Sequence, residues 1–249
     1  MLSNSQAYLI ESKNVRNFTS LGTVGLSLRK PTKGTEYKMV QEYVHSQLIS
    51  HIKTGEQKVI FLEPQLDSGF PDIVIVYFEP EVAINWSIKR LKVNKLDLRI
   101  LHYIFSEKDV DNSALENIFP GDFYKSIRRL LSAELVHYQS GKLQAKPLEE
   151  IFAIKRLIAI EAKVKNWQEG LHQAIQNTWF ASESYLLLPK LPSNSELIQG
   201  AKSFGVGIVT THCSLVESKL LPSVGKLPKS YVSWLFNEWV WHTLFEYKH

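Results

Sequence analysis

The run Arg156-Leu157-Ile158-Ala159-Ile160-Glu161-Ala162-Lys163-Val164-Lys165 constrains this chain more than any other stretch, because an apolar strand ending in an acid and a base has few stable settings. At the two-residue period of a strand, Leu157, Ala159, Glu161 and Lys163 share one face, and Ile158, Ile160, Ala162 and Val164 share the other. Burying a charge is costly unless it is paired or holds a metal. Glu161 and Lys163 are therefore an ion pair or chemistry, and an ion pair at a strand rim is the ordinary account of Glu-x-Lys.

A second stretch bears on the choice. Residues 70 to 78, Phe-Pro-Asp-Ile-Val-Ile-Val-Tyr-Phe, form another β-prone apolar run after a Gly69 turn. Proline is tolerated at the first residues of a strand, so Asp72 sits where the ladder begins. Two such strands can bring Asp72 and Glu161 together. Carboxylates a few ångströms apart repel, and a divalent cation such as Mg²⁺, which takes oxygen ligands and keeps waters, relieves that repulsion.

Pro71-Asp72, Glu161-Ala162-Lys163 and the amphipathic segment that follows resemble the PD-(D/E)XK nuclease superfamily. The resemblance implies an α/β fold, a restriction-endonuclease-like mixed sheet flanked by helices. The expected order is a helix over 35 to 51, strands over 59 to 63, 71 to 78 and 156 to 164, a helix over 167 to 180 and a strand over 184 to 188. It further implies Mg²⁺ (or Mn²⁺) held by Asp72, Glu161 and the main-chain carbonyl of Ala162, with Lys163 orienting or deprotonating the attacking water. Gln173 stands where several branches carry a glutamine. Asn177 stands where the exonuclease branch has tyrosine, a departure from the exonuclease pattern; the activity the resemblance implies is metal-dependent endonuclease hydrolysis of DNA phosphodiester bonds. First helices of the family often add an acid, and Glu36, near the apolar face, is the candidate here; complementing the helix dipole is its other account. Glu63, ending the first hairpin strand, is a further candidate for the acidic cluster or else a rim residue.

Residues 81 to 150 interrupt that pattern with one of their own. Apolar spacing predicts helices over 96 to 105, 113 to 118 and 122 to 133, and Gln139-Ser140-Gly141 between two short β-prone runs predicts a hairpin. Three helices and a hairpin resemble a winged helix, whose third helix enters the major groove. The outward positions of the third helix are expected to include Tyr124, Lys125, Arg128 and Arg129, which would contact phosphates. Solvation of such a face is the alternative.

Beyond 183 the order strand, helix, strand continues, as parallel pairing requires. The expected division is thus 1 to 80 and 151 to 215 for the core, 81 to 150 for the insertion, and 216 to 249 for an aromatic helical tail carrying Trp234, Trp239 and Trp241. So apolar a tail should pack on the core or a partner. A protein partner or homodimer through the winged helix or this tail is therefore expected beside DNA. The net charge of +4 permits nucleic-acid binding without arguing for it. A single cysteine, Cys213, excludes an internal disulfide framework and a cysteine zinc cluster. With neither a leader pattern nor a run of membrane-spanning length, a cytoplasmic protein without membrane contact is expected. The competing function is a catalytically inactive nucleic-acid-binding or assembly protein on the same fold.

Overall fold

The computed structural model describes residues 7–11, 14–18, 28, 34–49, 57–66, 69, 71–121, 123–193, 195–212 and 215–248. Phe70, Asp122, Asn194 and Cys213, and part of the helix expected over 35 to 51, lie outside the described residues. In chain order the elements are strands β1 (Ala7–Glu11) and β2 (Asn14–Phe18), helix α1 (Thr35–Tyr43), strands β3 (Gln57–Leu62) and β4 (Ile73–Phe78), and helices α2 (Pro80–Ala83), α3 (Lys95–Glu107), α4 (Asn112–Ile118) and α5 (Phe123–Ser132). Strands β5 (Val136–Gln139) and β6 (Lys142–Ala145), helix α6 (Leu148–Ile151), strand β7 (Ile154–Ala162), helix α7 (Trp167–Asn177), strand β8 (Glu183–Leu188), helix α8 (Glu196–Ser203), strands β9 (Gly207–His212) and β10 (Leu215–Leu220) and helix α9 (Tyr231–Lys248) follow. Ser27–Tyr77 and Lys155–Lys229 make one compact unit with the N-terminal strands, and Phe78–Ile154 with Ser230–His249 makes a second.

The first unit is a mixed α/β layer structure around an eight-stranded sheet of order β10-β9-β8-β7-β4-β3-β1-β2. Strands β7, β8 and β9 pair in parallel, with α7 and α8 as the crossovers, as the alternation of elements predicts. The hairpin β3-β4 is antiparallel, as are the pairs β1-β2, β1-β3 and β9-β10. Strands β1, β2 and β10 extend the sheet beyond the expected order.

Alternation along the strands separates two cores. Ile60, Leu62, Ile73, Ile75, Ile158, Ile160, Leu187 and Val209 pack with Met39 and Val40 of α1. Leu186, Leu188 and Ile208, of opposite parity, pack with Leu171 and Ala174 of α7 and Leu197 and Ala201 of α8. Each fully buried branched side chain contributes about 1.5–3 kcal/mol, so a one-residue slip of β7 would forfeit several such contributions at once. Register is thereby fixed, and with it the side of the sheet on which Glu161 emerges. Helix α1 ends at Tyr43, earlier than its apolar spacing suggests, and the chain continues as a wider π turn over Val44–Ile49.

In the second unit, α3, α4 and α5 precede the β5-β6 hairpin. Val110, between α3 and α4, exchanges both main-chain hydrogen bonds with Leu143 of β6, at 3.0 and 2.7 Å. Phe123, Ile127 and Leu130 bury the inner side of α5, while Tyr124, Lys125 and Arg128 are exposed. Arg129 departs from the expected outward set: its guanidinium turns to the buried carboxylate of Asp97, Nε donating to Oδ2 at 2.7 Å and Nη2 to Oδ1 at 2.8 Å. Asp97 has little room to do otherwise, because it also closes the N-terminal capping box of α3 with Asn94.

The C-terminal helix α9 belongs to this second unit. Trp234 meets the rings of Phe105 and Phe152 edge-on at 5.6 and 5.0 Å. The strand β10 occupies the start of the expected tail region, and the helix begins only at Tyr231.

Candidate active site

Asp72 stands one residue before β4, after a buried Pro71, and β4 neighbours β7 in the sheet. Its Oδ2 accepts the main-chain N–H of Ala162 at 2.7 Å, and its own carbonyl accepts the N–H of Glu63 at 3.0 Å. The head of β4 is thus tied to the end of β7, where Glu161 and Lys163 emerge. Glu161 is 4% exposed and shares a hydrogen bond with Asp72. Having opposite parity to Ile160 and Ala162, it faces α7, and Asn177 Nδ2 donates to its Oε1 at 2.6 Å.

The two carboxyls have been stripped of water and set against each other. Burial raises the Glu161 pKa, with the Asp72 charge adding to it, and the Asn177 hydrogen bond and Lys163 only partly opposing them. Asp72 is likewise raised, first by burial and further by Glu36; the Ala162 N–H and Lys163 pull it the other way. Such a pair holds a proton near neutrality.

Glu36, in the first turn of α1, is brought to the same place: its Oε1 accepts the N–H of Val164 at 3.2 Å. Lys163 continues β7, donating its N–H to Leu187 O at 3.0 Å, and its Nζ lies 3.9 Å from Glu169 Oε1. Its aliphatic stem crosses α7 at Gly170, where a β-carbon would fall 2.5 Å from Lys163 Cγ and 2.7 Å from Leu186 Cδ1. A glycine inside a helix costs up to about 1 kcal/mol against alanine, and here that cost makes room for the lysine. Gln173, one turn before Asn177, has a buried Oε1 with no hydrogen-bond partner among the described residues.

Asp72, Glu161, Ala162, Lys163 and Glu36 therefore come together in the first unit, with Gln173 on the adjoining helix. Tyr124, Lys125, Arg128 and Arg129 belong to the second unit. Sequence reasoning missed the parts played by Asn177 and Gly170. The first carries no local signal in the sequence; the second was signalled by a glycine in the first turn of an otherwise regular helix.

The oxygen-only set of Asp72, Glu161 and the Ala162 carbonyl suits a hard divalent cation, and the raised proton affinity of both carboxyls is what a cation would relieve. Among the described residues, no group of three or more His, Cys, Asp or Glu side chains is arranged to hold a metal ion, so any such site would rest on two carboxylates, a carbonyl and water. No described helix is long and apolar enough to cross a membrane. No protein-family model, no curated protein and no solved structure matches the chain.

Proposed function

We propose that the first unit is a Mg²⁺- or Mn²⁺-dependent nuclease of the PD-(D/E)XK type that hydrolyses phosphodiester bonds of DNA. The observation carrying this reading is the buried meeting of Asp72 and Glu161 beside Lys163 at the junction of β4 and β7. Further support comes from Glu36 reaching the same strand end from α1 and from Gln173 on the helix after Lys163.

Asp72, Glu161 and the Ala162 carbonyl would hold the cation. When bound, it supplies Lewis-acid polarisation of the phosphate and an acidified water. Both carboxyls would be ionised when they hold the cation. Lys163, its stem packed against Gly170, would supply its ammonium to the developing charge of the transition state and orient the attacking water. In the second unit, the order of helix, bridging residue, two helices and hairpin supports a winged-helix reading. Tyr124, Lys125 and Arg128 on exposed positions of α5 would then contact backbone phosphates.

The test is incubation of the full chain with labelled single- and double-stranded DNA and RNA, with Mg²⁺ or Mn²⁺. Cleavage of DNA by the wild type, abolished in Asp72→Ala and in Lys163→Ala variants that keep the wild-type melting profile, is the expected result. Nucleic-acid binding without cleavage would overturn it in favour of a binding or assembly protein.

A further inference from the structure

We infer that Asn177 is a positioning residue of this site, its amide fixing the orientation of the Glu161 carboxylate toward the divalent cation. The inference rests on the nuclease reading above and extends it to a side chain that reading does not use.

Asn177 is 6% exposed, and its Nδ2 is 2.6 Å from Glu161 Oε1. A buried asparagine with no such task would be a poor choice at the end of a helix whose neighbouring inward positions, Leu171 and Ala174, are apolar. The helix end that carries this amide is itself held in place. Ser184 Oγ donates to the main-chain carbonyl of Ala174 at 2.6 Å, fastening α7 to β8, and the N–H of Ala181 donates to the main-chain carbonyl of Asn177 at 3.0 Å. A carboxylate with one oxygen pinned cannot turn about its last bond, so its other oxygen keeps a single direction. Pinning by a neutral amide leaves the full negative charge for the cation, whereas a lysine or arginine in that place would neutralise it and compete. Hydrogen-bonded partners of this kind orient ligating carboxylates in metal sites, and their loss typically costs about 10- to 100-fold in metal affinity or activity.

The experiment titrates Mn²⁺ alone into the full-length protein by calorimetry, for wild type, Asp72→Ala, Asn177→Leu, Glu161→Gln and the double variant Asn177→Leu/Glu161→Gln. Asn177→Ser is carried in parallel, so that a leucine variant unable to fold does not end the test. The expected result is Mn²⁺ binding that requires Asp72 and weakens about 10- to 100-fold when Asn177 is replaced, with no additional loss from Asn177→Leu once Glu161 is already glutamine. With a DNA oligonucleotide, kcat should fall while KM for DNA holds. Asp72-dependent Mn²⁺ binding that is indifferent to Asn177, or weakened equally in both backgrounds, overturns the proposal and leaves the nuclease reading standing. A wild-type chain that binds no Mn²⁺ overturns both.

Discussion

Glu238 in the second unit and Glu161 in the first are buried to nearly the same degree, 0% and 4% exposed, yet their surroundings are opposite. Glu238 faces a guanidinium: Arg90 donates Nε to Oε2 at 3.1 Å and Nη2 to Oε1, and Asn237 Nδ2 adds a third hydrogen bond at 3.3 Å. Arg90 in turn donates to Ile151 O at 3.1 Å and lies 3.5 Å over the Trp86 ring. Glu161 faces a second carboxyl and receives one amide. A buried acid answered by a cation is architecture. One set against another acid is held at a cost in free energy, the kind of local conflict that folding alone does not call for.

The comparison is broken most sharply by removing one acid at a time. Glu238→Ala leaves Arg90 charged, buried and without its carboxylate, and should cost about 3–5 kcal/mol of stability. Glu161→Leu takes away an unfavourable buried acid, and in chelator its thermal unfolding should match or exceed that of wild type. Chemical and thermal melts of the two variants beside wild type measure both. A large loss from Glu161→Leu in chelator would mean that Glu161 holds the sheet together as Glu238 holds α9.

Proton linkage distinguishes the two clusters next. Asp72 is raised from 3.8 to about 6 and Glu161 from 4.5 to about 8, so the folded chain binds more protons than the unfolded chain between roughly pH 4 and 8. Stability from this pair is full below the unfolded values and is lost as pH rises through the folded ones. A tenfold difference in proton affinity between folded and unfolded chains is worth about 1.4 kcal/mol, so the chelated protein should lose on the order of a few kcal/mol across that window. Glu161→Gln should flatten the profile. A chelated wild type whose melting temperature is level or rising from pH 5 to pH 8 would count against a desolvated pair.

Much of this site was legible in the sequence, for reasons that differ from residue to residue. Glu161 stood out because β7 is so apolar that an acid in it needs an explanation, and Asp72 because it stands at the head of the equally apolar β4; the period of two places Glu161 opposite Ile160 and Ala162. Glu36 was accessible through the family resemblance, which asks the first helix for an acid, and through its place nearer the apolar face of that helix. Asn177 was not, because the hydrogen bond that gives it meaning spans sixteen residues and depends on α7 docking against β8. Arg129 was misread because amphipathic spacing marks an outer face and cannot see a buried Asp97 thirty-two residues away. The strands β2 and β10 escaped notice for another reason: edge strands carry mixed polar sequences that lack the alternation of β4 and β7.

Gly170 sharpens the comparison at a smaller scale. Arg90 is held by its partners, whereas Lys163 is guided by the absence of a side chain. Gly170→Ala gains up to about 1 kcal/mol of helix propensity but drives a methyl group into Lys163 and Leu186, a clash costing about 1–3 kcal/mol. Stability should change little or fall slightly, while cleavage falls well below wild type because the ammonium is displaced. A variant with unchanged cleavage would show that Lys163 does not need this path.

The smallest effect concerns two arginines a single position apart on α5. Arg128 is exposed, and Arg129 is engaged by Asp97. Replacing Lys125 and Arg128 with glutamine should leave the melting temperature within a degree or two and reduce the slope of log affinity for duplex DNA against log salt by about 0.9 for each phosphate no longer neutralised. Arg129→Gln should do the reverse. It strands the Asp97 carboxylate in the interior, at a cost of about 1–3 kcal/mol, and leaves the salt slope as it was. Chemistry at saturating DNA should survive the Lys125/Arg128 change, because neither residue belongs to the unit that carries Asp72 and Glu161. Fluorescence anisotropy at several salt concentrations, with melts run on the same samples, measures both quantities. If Arg129→Gln flattens the salt slope and the Lys125/Arg128 pair does not, the DNA-facing side of α5 is the one that Asp97 closes, and the ion pair must open on binding.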